Sequence, residues 1–260
     1  MRLALHGATG RMGLALTRLA HAAGDEIVGA ACSSEDPALG RDIGELAGLG
    51  SLGVVTSADV SSSLLGAGVV IDFSIAAAVP NLLALATRQG VAVVSGTTNL
   101  DEAGQRALAK AAEVVPVLWA PNMSLGVQVL AELVEQALRR LGPGYDAEIV
   151  ELHHRKKIDA PSGTARRLVD AAKQARAGLR EVRGRDGDVG ARQDDEIGVF
   201  GVRGGDVIGD HTVYLLGHGE RLELTHRASS RELFAHGALR AARFLDGKPP
   251  GRYTIGDVLG

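Results

Sequence analysis

The first 125 residues alternate short apolar runs with longer amphipathic segments, and this alternation restricts the possible folds more than any other feature. The apolar runs predict strands at residues 2–6, 27–32, 69–73, 91–95 and 117–120. The longer segments predict helices at residues 10–23, 79–89 and 100–114. Nearly continuous apolar strands separated by helices are typical of a parallel sheet that is covered on both faces. We therefore predict an α/β fold with a Rossmann-like, doubly wound parallel sheet.

The pattern changes after Trp119. Residues 125–141 predict a long amphipathic helix, residues 147–153 a strand and residues 162–176 another helix. Three apolar runs joined by short glycine turns, at residues 197–203, 211–216 and 220–227, predict a mixed or antiparallel sheet. The polar residues 178–196 predict an exposed loop. We therefore divide the chain into a first α/β domain, residues 1–124, to which residues 231–260 return, and a second α+β domain, residues 125–230.

Charge balance and cysteine content argue against several classes of protein. The chain has 28 Lys and Arg against 31 Asp and Glu, a formal charge of −3, which gives no support for binding nucleic acid. The single cysteine, Cys32, cannot form an internal disulfide, and this fits a reducing compartment. The longest uncharged stretch, residues 114–131, contains prolines and polar residues and makes a poor membrane span. We therefore expect a cytoplasmic protein without a nucleic-acid or membrane partner.

A glycine-rich turn, GATGRMG at residues 7–13, lies between the first predicted strand and the first predicted helix. Glycines at this position allow the backbone to approach a pyrophosphate, which a helix N-terminus then stabilises. The spacing GxxGxxG differs from the commoner GxGxxG, so closure of an ordinary βα turn remains the alternative.

The end of the second predicted strand bears on the choice of dinucleotide. Sites that prefer NAD usually carry an acid there, which accepts hydrogen bonds from the ribose. This chain has Ser33 and Ser34 instead, and Arg41 follows as a candidate partner for a 2′-phosphate. Since serines do not repel that phosphate, the pattern favours NADPH and leaves the use of NADH open.

The stretch ELHHRKKIDAPSGT, residues 151–164, follows a predicted strand and ends at a predicted helix. Two of the five lysines in the chain, Lys156 and Lys157, are adjacent here although arginine is the usual cation, which indicates a need for a compact proton donor. His153 and His154 titrate near neutrality, and the helix start at residues 162–164 offers N–H groups to a carboxylate. The pattern predicts a small polyanionic substrate that is protonated during reaction; an inert basic loop remains the alternative. No acid or cysteine set accompanies the histidines at metal-ligand spacing, so we expect no metal.

The segment HHRKKIDAPSGTA resembles the signature of the dihydrodipicolinate reductase family of bacterial lysine and diaminopimelate synthesis. The similarity extends over essentially the whole chain, through GATGRMG, VIDFS, SGTT, APNMSLGV and RGGDVIGDHTV in that order. It implies an oxidoreductase that uses NADPH or NADH to reduce a small dicarboxylate, 4-hydroxy-tetrahydrodipicolinate, to tetrahydrodipicolinate. It also implies a homotetramer assembled through the sheet of the second domain, with cofactor and substrate facing each other across a hinge.

The same resemblance implies roles for individual residues. His153 is implied as general acid/base and Lys157 as proton donor, while His154, Gly163 and Thr164 are implied to bind substrate. The residues implied to contact the cofactor are Gly7, Ala8, Thr9, Gly10, Arg11, Met12, Ser33, Ser34, Gly96, Thr97, Thr98, Ala120, Pro121, Asn122 and Met123.

Two positions depart from the family pattern. Many members carry an acid and an arginine where this chain has Ser33 and Ser34, and some carry an arginine where it has Ile75.

Two other functions remain as alternatives. One is a related two-domain dehydrogenase that acts on aspartate or a similar amino acid. The other is a nucleotide-sensing protein that does not turn over substrate.

Overall fold

The structure is a computed structural model that describes residues Met1–Gly260. It divides into two compact units: unit 1 is Met1–Met123 with Glu232–Gly260, and unit 2 is Ser124–Arg231. The strands in chain order are β1 (Arg2–His6), β2 (Glu26–Ala31), β3 (Thr56–Ser57), β4 (Val69–Asp72), β5 (Ala92–Ser95), β6 (Pro116–Trp119), β7 (Asp146–His153), β8 (Arg180–Val182), β9 (Glu196–Arg203), β10 (Asp210–Leu216), β11 (Arg221–Arg227) and β12 (Gly251–Tyr253). The helices are α1 (Arg11–Ala22), α2 (Ile43–Ala47), α3 (Val60–Ser63), α4 (Val79–Gln89), α5 (Glu102–Ala112), α6 (Leu125–Leu141), α7 (Gly163–Ala175), α8 (Glu232–Leu245) and α9 (Ile255–Leu259).

Unit 1 contains a seven-stranded sheet in the order β12-β6-β5-β4-β1-β2-β3, in which every pairing is parallel. Its strands are buried because helices cover them: α4 and α5 pack on one face, and α8 contacts β4, β5 and β6. The chain leaves β1 toward β2 and β3 and later returns on the other side of β1 as β4. The predicted doubly wound parallel sheet is therefore confirmed.

Unit 2 contains a five-stranded mixed sheet in the order β11-β10-β7-β9-β8. β10 is antiparallel to both β7 and β11, whereas β9 is parallel to β7 and β8. Helices α6 and α7 bury their apolar faces against β7, β9 and β10, with Val134 and Leu168 meeting Ile149, Val199 and Val213 in one core. The predicted second α+β fold with a mixed sheet is also confirmed.

Some elements differ from the sequence-based expectation. The predicted loop 178–196 is not wholly a loop, because Arg180–Val182 forms the short edge strand β8 beside β9. Arg185 and Arg192 in the remaining part donate hydrogen bonds to Glu148 on β7. Elements α2, β3, α3, β12 and α9 were not predicted. None of the helices combines the length and the apolarity that a membrane span requires.

Candidate active site

The unit 1 sheet reverses its direction of winding between β1 and β4, and such a switch point opens a crevice at the carboxyl ends of the strands. The glycine turn, residues 7–13, leaves β1 at this point. A Cβ added to Gly7 would lie 2.5 Å from the carbonyl oxygen of Phe73, in the turn after β4, and the φ of Gly7 is +75°. Only glycine fits here, since both the φ and the close approach exclude a side chain.

The start of α1 supports binding of an anion. This 12-residue helix has Gly10 as its N-cap, no side-chain cap and no acid in its first turn. Helices α5, α6 and α7 are instead capped by Asp101, Ser124 and Ser162. A Cβ on Gly13 would lie 2.1 Å from the carbonyl oxygen of Ala8, so the turn and the helix start pack backbone to backbone. The glycine turn therefore fits the diphosphate of a dinucleotide.

A buried carboxylate joins the strand ends on the other side of this crevice. Asp72 accepts hydrogen bonds from His6 Nδ1 (2.7 Å), Ser95 Oγ (2.6 Å), Thr97 Oγ1 (2.8 Å) and the Ser74 backbone N–H (3.1 Å). Burial alone would raise the pKa of Asp72, but the hydrogen bonds, led by that of His6, lower it. Asp72 thereby fixes the loop that contains Thr97, one of the residues implied to lie by the nicotinamide.

Two further contacts shape that loop. Trp119 Nε1, at the end of β6, donates a hydrogen bond to the carbonyl oxygen of Thr97 (2.8 Å). A Cβ on Gly96 would lie 2.3 Å from the ring of Phe73. The segments 96–98 and 120–123 follow β5 and β6, which places them along the same carboxyl edge as the glycine turn.

The loop after β2 carries an acid to which the sequence alone assigned no role. Ser33 and Ser34 are exposed in the turn after β2. Three residues beyond Ser33, Asp36 accepts a hydrogen bond from Thr9 Oγ1 in the glycine turn (Oδ2, 2.5 Å) and one from the Ala38 backbone N–H (Oδ1, 2.8 Å). The sequence offered no signal for this contact, because it depends on the way the loop folds back.

In unit 2 the buried face of the sheet changes from apolar to charged. Alternate residues of β7 are buried, so Ile149 lies in the hydrophobic core while Glu151 and His153 occupy the same face nearer the end of the strand. The register places Glu151 opposite His211 on β10 and His153 opposite Arg203 on β9. We call Glu151, His153, Ser162, Arg203 and His211 the Glu151 cluster.

Glu151 is fully buried and receives four hydrogen bonds. Arg203 binds both of its oxygens, at 2.9 Å to Oε2 and 2.8 Å to Oε1; the Ser162 backbone N–H donates to Oε1 at 3.2 Å, and His153 Nδ1 bonds Oε2. Burial alone would raise the pKa of Glu151, but the hydrogen bonds from Arg203 and His153 outweigh it and lower the pKa. The carboxylate is therefore charged, and it fixes the ring of His153 through Nδ1.

Burial lowers the pKa of His153, although Glu151 opposes the shift. With Nδ1 engaged by Glu151, Nε2 is the nitrogen that remains to exchange a proton. A Cβ on Gly209 would lie 2.9 Å from Nε2, so the last glycine of the RGGDVIGD motif keeps the space beside this nitrogen open.

His211, which the sequence analysis left without a role, contacts His153 edge to face with ring centroids 5.1 Å apart. The Ser162 hydroxyl accepts a hydrogen bond from the Ala165 N–H and forms a second hydrogen bond with His211 Nε2 (3.0 Å). His211 Nδ1 is buried and has no hydrogen-bond partner. Burial, with a smaller contribution from the charge of His153, lowers the pKa of His211 to about 3. The ring is therefore neutral at physiological pH.

The remaining predicted substrate residues surround this cluster. Lys157 Nζ contacts both carboxylate oxygens of Asp159, at 2.8 and 3.0 Å. The backbone N–H of His154 donates to the carbonyl oxygen of Val207 (2.7 Å), which joins the two loops of the site. Gly163 is the first residue of α7, and a Cβ added there would meet nothing within 4 Å.

Glu151, His153 and His211 also bring ligand atoms within 4.8 Å of one another, a separation that three metal ligands could adopt. Both oxygens of Glu151 are, however, hydrogen-bonded to the guanidinium of Arg203, whose charge opposes a cation. These side chains therefore fit a hydrogen-bonded ion pair better than they fit a metal site.

Comparison with known proteins decides the family. A family model described as "Dihydrodipicolinate reductase, N-terminus" matches residues 1–123, and one described as "Dihydrodipicolinate reductase, C-terminus" matches residues 126–259. The chain belongs to the dihydrodipicolinate reductase family. The predicted family and the predicted activity, nicotinamide-dependent reduction of 4-hydroxy-tetrahydrodipicolinate, are confirmed by these matches together with the relatives described next.

Relatives that match this chain over its full length are named 4-hydroxy-tetrahydrodipicolinate reductase. One from Anaeromyxobacter dehalogenans is 49% identical, with 100% of this chain and 97% of the relative covered. One from Magnetococcus marinus is 47% identical, with 100% and 98% covered. Among solved structures, the dipicolinate-bound dihydrodipicolinate reductase from Paenisporosarcina sp. TG-14 has a TM-score of 0.79 over 98% of this chain and 97% of that chain. Its 23% identity makes this a likeness of fold.

Proposed function

We propose that in this enzyme His153 is the general acid/base, that Lys157 is the proton donor, and that the N-terminus of α7 binds a substrate carboxylate. The observation that carries the proposal is the buried Glu151–Arg203 ion pair, which engages His153 through Nδ1. A buried charged pair of this kind is costly unless it is fully hydrogen-bonded. Its location directly behind a histidine supports a role in orienting that ring.

A bound nicotinamide supplies the hydride. The glycine turn and the uncapped start of α1 would hold the diphosphate, and the loops at residues 96–98 and 120–123 would contact the nicotinamide. The Asp72 network supports this assignment, because it joins the ends of β1, β4 and β5 by hydrogen bonds from three different segments. Such a network fixes loop geometry before the cofactor binds.

The proposed proton donor to the substrate, Lys157, belongs to unit 2. Hydride addition to a conjugated substrate leaves an electron pair that has to be protonated, and a positioned acid accelerates this step. Lys157 is a suitable acid because its ammonium group carries three donors. Its contact with Asp159 shows that it can hold a carboxylate, and we propose that a substrate carboxylate competes with Asp159 for it.

The second carboxylate of the substrate is assigned to Gly163 and Thr164. The helix N-terminus there provides N–H donors and a positive dipole, and the open space beside Gly163 gives an anion access to the backbone. Ser162 ties this helix start to the Glu151 cluster through its backbone N–H and its hydroxyl. The binding group and the acid/base are thus held by one hydrogen-bond network.

The proposal extends to a cytoplasmic homotetramer assembled through the sheet of unit 2, as the family resemblance implies. Light scattering of the purified protein would test this assembly, and a monomer in solution would contradict it.

A coupled assay tests the assigned roles. Pyruvate, aspartate semialdehyde and the preceding synthase generate the substrate, and oxidation of NADH or NADPH is followed. His153→Gln and Lys157→Met should each lower kcat by about 10²- to 10⁴-fold, the usual contribution of a positioned acid or base. Nucleotide affinity, measured by calorimetry, should stay within about twofold of wild type, because neither residue belongs to unit 1.

Lys156→Met is the matched control, since Lys156 is adjacent and exposed. Full turnover by His153→Gln or Lys157→Met would overturn the assignment.

A further inference from the structure

We infer that Asp36 sets the choice of cofactor and makes this enzyme prefer NADH over NADPH. The inference rests on the proposed function, because it requires the glycine turn to bind the cofactor diphosphate. It also reverses the expectation drawn from Ser33 and Ser34, which considered the end of β2 and not the loop that follows it.

Asp36 lies beside the glycine turn, where its carboxylate contacts Thr9. In dinucleotide-binding folds the adenosine ribose lies at the carboxyl end of the second strand, beside the glycine turn that follows the first. In this structure the backbone N–H groups of Gly7 and Ala8 both donate to the carbonyl oxygen of Ala31 (3.0 Å each), so the turn is attached to the last residue of β2. Asp36 reaches the same place, because its Oδ2 accepts the hydrogen bond from Thr9 Oγ1.

The serines have a different use in this arrangement. Ser33 Oγ accepts a hydrogen bond from the Glu35 backbone N–H (3.3 Å), and the Ser33 carbonyl oxygen accepts one from the Asp36 N–H (3.1 Å). These bonds form a tight turn, which brings the chain back toward β1 and directs the Asp36 carboxylate to Thr9. Ser33 therefore shapes the loop that delivers the acid.

The charge of Asp36 persists at neutral pH. Hydrogen bonds from Thr9 and from the Ala38 N–H lower the pKa of this half-buried carboxyl. Arg41, the nearest arginine in sequence, and Arg11 of the glycine turn are both exposed, and neither is hydrogen-bonded to Asp36. An ionised carboxylate can accept hydrogen bonds from ribose hydroxyls, whereas it repels a 2′-phosphate.

The test compares the two nucleotides directly. Calorimetry gives the Kd of NADH and of NADPH for wild type, Asp36→Asn and Asp36→Ser, and the coupled assay gives kcat/KM for each pair. Wild type should bind NADH at least about tenfold more tightly, and Asp36→Asn should shift the ratio toward NADPH by about tenfold. That is the order expected when one like charge is removed beside a partly exposed phosphate.

Glu35→Gln is the matched control, since it removes the same charge from the neighbouring exposed residue, and it should change the ratio less than about twofold. A wild-type preference for NADPH, an unchanged ratio in both Asp36 variants, or an equal shift in Glu35→Gln would each overturn the inference. The binding ratio needs no turnover, so an enzyme that prefers NADH but fails the coupled assay would contradict the proposed function and leave Asp36 as the selective residue.

Discussion

The glycine turn of unit 1 and the Glu151 cluster of unit 2 are constructed in opposite ways. The turn consists of seven consecutive residues in which backbone approaches backbone, and an added Cβ on Gly7 or Gly13 would collide with main-chain atoms. The cluster brings together ionisable side chains from three strands and a serine at the start of a helix, which lie between residues 151 and 211. The first site is sensitive to added atoms and the second to altered charge, and the predictions below test that difference.

The largest effect is expected for Glu151→Gln. It leaves the guanidinium of Arg203 with a neutral partner in a mostly buried position, and removing one member of a buried ion pair costs about 3–5 kcal/mol. The free energy of unfolding, measured by urea titration with circular dichroism, should fall by roughly 3 kcal/mol, and kcat should fall as His153 loses its anchor.

Glu223→Gln on β11 is the control, since Glu223 pairs with Arg221 at an exposed position. Exposed pairs contribute about 0–1 kcal/mol, so this variant should remain close to wild type. Equal losses in the two variants would mean that burial of the Glu151 pair has no special energetic weight.

An intermediate effect is expected from pH, through His211. Its pKa is about 3 in the folded chain and 6.5 when unfolded. The unfolded state therefore binds more protons below pH 6.5, and stability that is fully present above that pH is lost as the pH falls toward 3. Between pH 7.5 and pH 5 this group alone should remove about 2 kcal/mol from the stability of unit 2.

Hydrogen exchange of peptides from β7 and β10, compared at the two pH values with correction for intrinsic rates, measures this loss. His211→Gln keeps an amide group that can hydrogen-bond Ser162 and should flatten the dependence, whereas the exposed His218→Gln should leave it unchanged. A wild-type pH dependence that persists in His211→Gln would assign the titration to another group.

The smallest effect on stability is expected for Gly163→Ala. Because nothing lies within 4 Å of the added Cβ, the free energy of unfolding should change by less than about 0.5 kcal/mol. The same methyl group would occupy the space through which a carboxylate reaches the helix N-terminus, so the substrate KM should rise by about tenfold. Gly144→Ala, also in open space in unit 2, serves as the control in the coupled assay. An unchanged KM would remove Gly163 from the carboxylate site.

The same contrast explains what the sequence could and could not predict. The glycine turn is a contiguous motif, and helices such as α4 and α6 were predicted at their observed bounds because amphipathic periodicity is a local property. The histidines of HHRKK were recognised for the same reason. Short β8, in contrast, depends on pairing with β9, and a polar three-residue segment carries no local strand signal.

The partners of His153 were missed for a related reason. Arg203 and His211 reach Glu151 only through the registers of β9 and β10, which a single sequence does not specify. Asp36 reached the glycine turn through a loop whose path is set by backbone hydrogen bonds. In both sites the sequence contains the ionisable residues, but it does not specify their contacts with residues that are distant along the chain.

The hydrogen bond from Trp119 to the loop that contains Thr97 has a practical consequence. Trp119 is the only tryptophan in the chain, so all of the indole emission of the protein originates at the carboxyl edge of the unit 1 sheet. A reduced nicotinamide absorbs in the range where indole emits, and its arrival near this ring would quench the signal by energy transfer. At the proposed nicotinamide site, Trp119 would thus serve as a built-in optical probe of cofactor occupancy that requires no label, and unit 2 contains no tryptophan that would add to its signal.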